Sequence, residues 1–195
     1  MLYRIVRAIL RPIWFLLFRL HVAGLENIPQ AGPVILCCNH FLWADPITMA
    51  VAVPRSVHFM AKEELFRAPV LGPLLPLVGA FPVRRGTADR ASLKQALAVL
   101  SKGEVFGIFP EGTRSRTRQL LRPEPGVVWI AAHARAPVVP MAISGDYRFF
   151  RRLSVRVGRP VDLGDLLEQK LRGEVLETGA NRVSEAIASL LAEPA

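Results

Sequence analysis

The sequence predicts an α/β fold: a single domain with a mostly parallel central sheet flanked by helices, preceded by an N-terminal amphipathic helix. Three observations carry this reading. Residues 33–38, 105–109 and 138–143 are short, nearly unbroken apolar runs, the pattern of strands covered on both sheet faces. Stretches of helical period separate them, and such alternation favours parallel pairing. No internal repeat, low-complexity tract or linker divides the 195 residues, and with 51% of them hydrophobic the chain can bury one sizeable core.

The elements follow in order. Residues 2–20 place Leu2, Ile5, Val6, Ile9, Ile13, Leu16, Leu17 and Leu20 at helical spacing, with Arg4, Arg7 and Arg11 on another face and Trp14, Phe15 and Phe18 adding aromatic bulk. The longest uncharged stretch, residues 12–18, is far short of the ~20 apolar residues that span a bilayer. It also lacks the features of a secretory signal. A basic amphipathic helix lying in a membrane interface fits best, and packing on the core is compatible with it. Residues 1–22 are therefore read as a membrane-associating segment and residues 23–195 as the main domain.

After a turn-rich approach at residues 24–29 comes the strand at 33–38. Asp45-Pro46 reads as a helix start, with Asp as N-cap and Pro in the first turn, for a helix to about residue 53. Residues 57–60 predict a short strand. Residues 63–66 and 70–77 predict short apolar helices broken by Pro69, Pro73 and Pro76. A strand at 80–84 precedes an amphipathic helix from Asp89 to Leu100, stopped by Gly103. The strand at 105–109 runs into Pro110-Glu111-Gly112-Thr113-Arg114. A helix at 126–135, the strand at 138–143, an alternating, edge-like strand at 153–157 and a helix at 179–192 complete the chain.

The charge balance is +9 at neutral pH, and arginine supplies most of the positive charge, since only Lys62, Lys94, Lys102 and Lys170 are lysines. Such an excess suits anionic partners such as phospholipid headgroups or phosphorylated substrates. Nucleic acid is excluded as a partner by the lack of any aromatic-basic run, Cys/His finger or basic heptad region. The adjacent Cys37 and Cys38 point to opposite faces of their strand, so they are poorly placed to bridge and read as apolar fillers of a reduced protein. An acyl-cysteine route through Cys38, two residues from His40, is a minor alternative.

His40 and Asp45 are the residues best suited to chemistry. In one helix, a separation of five residues would splay them by about 140°. They meet only if a loop folds the strand end back onto the helix start. The helix amides would then hold Asp45 as a carboxylate that fixes one imidazole nitrogen, leaving the other to take a proton. That is a triad without its serine, so the substrate would bring its own hydroxyl. Residues 109–114 also follow a strand end, where open α/β sheets place ligands. Gly112 lets backbone approach a ligand, Glu111 can accept from hydroxyls and Arg114 can grip a phosphate. Arg84-Arg85 offers a further cationic grip after another strand.

With these residues assembled, the chain resembles the glycerophospholipid acyltransferases, most closely the 1-acyl-sn-glycerol-3-phosphate acyltransferases. Four blocks match in order: Asn39-His40-x4-Asp45, Gly-Ala-Phe-Pro-Val-Arg-Arg at 79–85, Phe-Pro-Glu-Gly-Thr-Arg at 109–114 and Val-Val-Pro at 138–140. The resemblance implies that His40 is the general base, that Asp45 orients it, and that the acceptor hydroxyl attacks the thioester of acyl-CoA or acyl-carrier protein. It further implies that Arg85 and Arg114 hold the phosphate of lysophosphatidate and Glu111 its glycerol portion, with Gly112 and Thr113 in the same substrate-binding turn. No metal or cofactor is implied beyond the acyl thioester as co-substrate. The implied location is the cytoplasmic face of the cell membrane, with peripheral or monotopic attachment.

Three departures stand out: Leu42 and Trp43 where the family often has polar residues, Pro82 in the second block, and Glu124 where a basic residue is common. The remaining alternatives are transfer to another lysolipid, amino-acid lipid or glycolipid acceptor, thioester hydrolysis, and a catalytically silent membrane-binding protein.

Overall fold

A computed structural model describes residues 2–84 and 89–193, so Arg85 lies outside the described residues. The strand β2 (Val34–Cys38) organises the rest. Its side chains alternate between two apolar clusters, Val34, Leu36 and Cys38 in one and Ile35 and Cys37 in the other, and all five residues are buried. An unbroken apolar run is stable only where both faces are covered, and here they are. The two thiols point into opposite clusters, as strand geometry requires.

Around β2 the chain builds β1 (His21–Ala23), β3 (Val57–Lys62), β4 (Ala80–Val83), β5 (Val105–Ile108), β6 (Val138–Gly145) and β7 (Leu153–Val157). The seven strands lie in the order β1-β7-β6-β2-β5-β3-β4. All neighbours pair in parallel except β6 with β7. This is the mostly parallel sheet the sequence predicts.

Helices α1 (Leu2–Leu17) and α2 (Asp45–Ala52) cover one face, contributing Trp14, Met49 and Val51 to its cluster. Helices α4 (Arg90–Ser101), α5 (Gly126–Ala134) and α7 (Gly173–Ala192) cover the other, with Ala96, Leu100, Ile130, Val183 and Ile187. The short α3 (Leu71–Leu77) lies beside β4, and α6 (Gly164–Leu167) precedes α7. The Asp89 side chain caps α4 by accepting from the Ala91 and Ser92 amides at 3.0 and 3.3 Å, the helix start expected there.

The strand at Leu153–Val157 corrects one expectation. It is not an edge strand: β1 lies beyond it, with Val22 opposite Val155. Its alternation misleads because Ser154 is buried within the sheet and Arg156 is covered through an ion pair with Glu193 at 3.5 Å. The three-residue β1 has too little pattern to register in sequence.

Helix α1 carries two apolar stripes. Trp14, joined by Phe18 just past the helix end, is buried against the body of the protein. Leu2, Ile5, Ile9, Ile13 and Leu16 are all exposed. At 100° per residue these five fall within an arc of about 80°. No helix among the described residues is long and apolar enough to cross a membrane.

Candidate active site

Register brings the chemistry together. Cys37 lies opposite Ile108, so β2 and β5 release their chains side by side at the C-terminal end of the sheet. Asn39 then extends the sheet with its side chain. Its Nδ2 donates to the Ile143 carbonyl at 2.9 Å, and its Oδ1 accepts from the Ile143 amide at 2.8 Å. The amide thus imitates one more backbone pair and fixes the direction in which residue 40 leaves β2.

His40 is held on every side by the segment that follows β5. Its backbone N–H donates to Glu111 Oε1 at 2.8 Å, and its carbonyl accepts from the Ser115 amide at 2.8 Å. Its ring stacks on Phe109 with centroids 4.1 Å apart. The ring Nδ1 lies 2.8 Å from Asp45 Oδ2, and the side chains are 8% and 0% exposed. The fold-back demanded by the five-residue separation is therefore present.

Asp45, however, is not the N-cap of α2. Ala44 occupies that position, and Asp45 is the first helical residue. Instead of bonding helix amides, its Oδ2 accepts from the loop amides of Phe41 and Leu42, both at 2.7 Å, as well as facing His40. Its Oδ1 accepts from the Tyr147 hydroxyl at 2.8 Å. The loop between β2 and α2 turns tightly enough, closed by Asp45 N–H to Leu42 O at 3.2 Å, that its own amides reach the carboxylate first.

Glu111 is anchored through both carboxylate oxygens. It is 5% exposed, and its second oxygen accepts from the Leu121 amide at 3.1 Å. Both oxygens that the resemblance assigns to acceptor glycerol are thus engaged by backbone amides, and burial pushes its carboxyl up from the ordinary range against the pull of those two bonds. Glu111→Gln should destabilise the fold by about 1–3 kcal/mol, because the amide group offers one acceptor and one donor where two N–H groups converge. Thermal unfolding checks this, and an unchanged or higher midpoint would show that relief of buried charge outweighs the lost acceptor.

Beyond Glu111, Gly112, Thr113 and Arg114 are exposed on one turn. Gly112 has φ +63°, a conformation glycine adopts without steric cost, which lets the chain reverse between Glu111 and Ser115. Arg84 at the end of β4 pairs with Glu63 at 2.7 Å. Arg118 escaped notice in the sequence. Its guanidinium lies 5.0 Å from the Phe41 ring centroid, donates to the Gly145 carbonyl at 2.9 Å, and lines a pocket with Asn39, Phe41 and Ile143. Tyr147 was also missed, since nothing local marks a tyrosine 102 residues distant as a partner of Asp45. His133 stacks on Trp129 and bonds the Trp129 carbonyl at 2.8 Å, an ordinary helical packing. Among the described residues, no group of three or more His, Cys, Asp or Glu side chains could hold a metal ion.

A buried histidine–aspartate pair at the strand ends of a three-layer α/β protein, beside a turn bearing an exposed arginine, has the chemistry of an enzyme site in which an imidazole could activate a hydroxyl. The acyltransferase family model matches residues 19–144, and the chain belongs to that family; it is an acyltransferase. It is 37% identical over 146 residues to the 1-acyl-sn-glycerol-3-phosphate acyltransferase of Bacillus subtilis, covering 72% of each chain. It is 31% identical over 179 residues to the enzyme of that name from Streptococcus pneumoniae, covering 88% of this chain and 66% of the relative. The crystal structure of the 1-acyl-sn-glycerophosphate acyltransferase PlsC from Thermotoga maritima superposes with a TM-score of 0.70 at 27% identity, over 90% of this chain and 73% of that one.

Proposed function

We propose that the protein transfers an acyl group from acyl-CoA or acyl-carrier protein to the sn-2 hydroxyl of 1-acyl-sn-glycerol-3-phosphate, giving phosphatidic acid. The observation that carries this reading is the 2.8 Å contact of His40 Nδ1 with Asp45, which commits one ring nitrogen and leaves Nε2 as the one to take a proton. The names of the relatives supply the acceptor.

In this reading His40 Nε2 takes the proton of the acceptor hydroxyl as its oxygen attacks the thioester carbonyl. The tetrahedral intermediate collapses by breaking the carbon–sulfur bond, and the imidazolium returns the proton to the departing sulfur. Asp45 stabilises the imidazolium and keeps Nδ1 as the donor. Glu111 acts as a strut that holds the backbone of His40 rather than as a ligand for glycerol. Direct transfer is preferred over an acyl-cysteine because both thiols are fully buried and burial pushes both upward, away from the thiolate.

Arg114, exposed on the turn beside His40, is the candidate phosphate grip, with Arg85 as its proposed companion. The exposed stripe of α1 and the net charge of +9 support residence of residues 1–22 at an anionic membrane surface, on the cytoplasmic face, with residues 23–195 as the acyltransferase domain.

The test is incubation of purified protein with labelled acyl-CoA and a panel of lysolipids, amino-acid lipids and glycolipids, followed by lipid analysis. Phosphatidate formed from lysophosphatidate in preference to other products is expected. A preference for another acceptor would overturn the assignment, as would acyl-CoA hydrolysis indifferent to any acceptor. In the same assay Arg114→Ala should raise the KM for lysophosphatidate by roughly tenfold or more, as expected for loss of a charge-assisted bond, with the KM for the acyl donor little changed. An unchanged acceptor KM would remove Arg114 from the site.

A further inference from the structure

A line of buried polar groups that the acyl-transfer steps do not use runs from Asp45 to α1. Trp14 Nε1 donates to Thr48 Oγ1 at 2.9 Å. Thr48 Oγ1 lies 2.7 Å from the Tyr147 hydroxyl, which donates to Asp45 Oδ1 at 2.8 Å. Trp14 and Thr48 are buried, and Tyr147 is only partly exposed.

Chemistry sets the direction of this line. An indole nitrogen can only donate. Burial and the adjacent Asp45 carboxylate push the Tyr147 phenol up, so its single proton stays and points at Asp45. The short contact between the two hydroxyls then requires the Thr48 proton, in preference to the longer 3.2 Å approach of Thr48 to the Ala44 carbonyl. Every donor points toward the carboxylate that faces His40, an order in which each bond polarises the next.

The same elements are stitched together by backbone. Phe150 N–H donates to the Leu17 carbonyl at 2.6 Å and Leu153 N–H to the Phe18 carbonyl at 3.0 Å. The Phe18 and Tyr147 rings meet edge to face with centroids 5.6 Å apart. Gly145, at φ +99°, makes the turn before Tyr147; a Cβ there would lie 2.3 Å from the Arg152 carbonyl oxygen. The segment that carries Tyr147 is therefore seated on the C-terminal end of α1.

We propose that Tyr147 is a positioning residue for the His40–Asp45 pair, and that the Trp14–Thr48–Tyr147 line makes the alignment of that pair depend on the seating of α1. This rests on the reading of His40 as the base. Helix α1 then serves the chemical step as well as any contact with lipid.

The test is steady-state kinetics with acyl-CoA and lysophosphatidate. Tyr147→Phe should lower kcat roughly tenfold, the scale of a hydrogen bond to a charged group, with both KM values within about twofold of wild type. Trp14→Phe should lower kcat several-fold, and the Trp14→Phe/Tyr147→Phe double variant should be no slower than Tyr147→Phe alone. The pair Thr48→Ser and Thr48→Val makes the same test without altering an aromatic ring, since serine keeps the hydroxyl and its rate whereas valine keeps the shape and loses it. A wild-type kcat in Tyr147→Phe, multiplying effects in the double variant, or equal rates for the two Thr48 variants would each overturn the proposal. His40→Ala separates the two readings. Retained activity there removes the base assignment, whereas an inactive His40→Ala beside a fully active Tyr147→Phe removes only the positioning line.

Discussion

His40→Ala should lower acyl transfer by about 10²- to 10⁴-fold, the range expected when a positioned general base is deleted. The fold should survive, because the residue's backbone stays anchored through Glu111 and Ser115 and neither bond involves the imidazole. Asp45 would keep the Phe41, Leu42 and Tyr147 donors and so would not be left as an uncompensated buried carboxylate. Single-turnover rates measured beside thermal unfolding check both halves of the expectation. Near-normal turnover in a folded His40→Ala protein would eliminate the imidazole as the base.

The second large effect separates charge from geometry at Asp45. Three donors converge on Oδ2 and one on Oδ1. In Asp45→Asn the amide oxygen must therefore take the Oδ2 place, and the NH₂ group turns to the Tyr147 hydroxyl, which can rotate to accept. The loop amides and the Nδ1 donor of His40 all keep an acceptor. What disappears is the negative charge that stabilises the imidazolium, so the rate should fall by roughly 10²-fold or more in a protein that remains folded. Asp45→Ala is a different experiment. It strands two part-buried amides and a phenol, each costing up to about 1–3 kcal/mol, enough to threaten the fold of a domain this size. Wild-type kcat in Asp45→Asn would show that the carboxylate charge is dispensable.

Much of this site was legible because its parts are local. The β2 and β5 runs, the His40–Asp45 spacing and the exposed turn at 112–114 each announce themselves within a few residues, and together they specify one end of a parallel sheet. What escaped depends on contacts distant in sequence. Tyr147 reaches Asp45 across a sheet, and Glu111 is occupied by amides of His40 and Leu121 that no spacing rule would pair with it. The capping role expected of Asp45 failed for a related reason: the residue type and its Pro46 neighbour suit an N-cap, but the preceding loop supplies closer donors than the helix does. The N-terminal segment shows the opposite case. Its apolar periodicity is visible in sequence, yet only the packing of Trp14 and Phe18 tells which residues face inward and which stay exposed. The second cationic grip expected at Arg85 lies outside the described residues, which leaves Arg114 as the proposed phosphate partner whose place in the fold is described.

The margins of the sheet have a consequence for the proposed residence of the enzyme at a membrane surface. An open sheet ends in rows of backbone groups on which another molecule can add a strand, and confinement to a plane raises the frequency of such encounters. Here one margin is β1, three residues long, and the other is β4, where Pro82 has no amide hydrogen to offer. Neither provides the long, regular template that polymerisation needs, so dense packing on a bilayer need not lead to fibres.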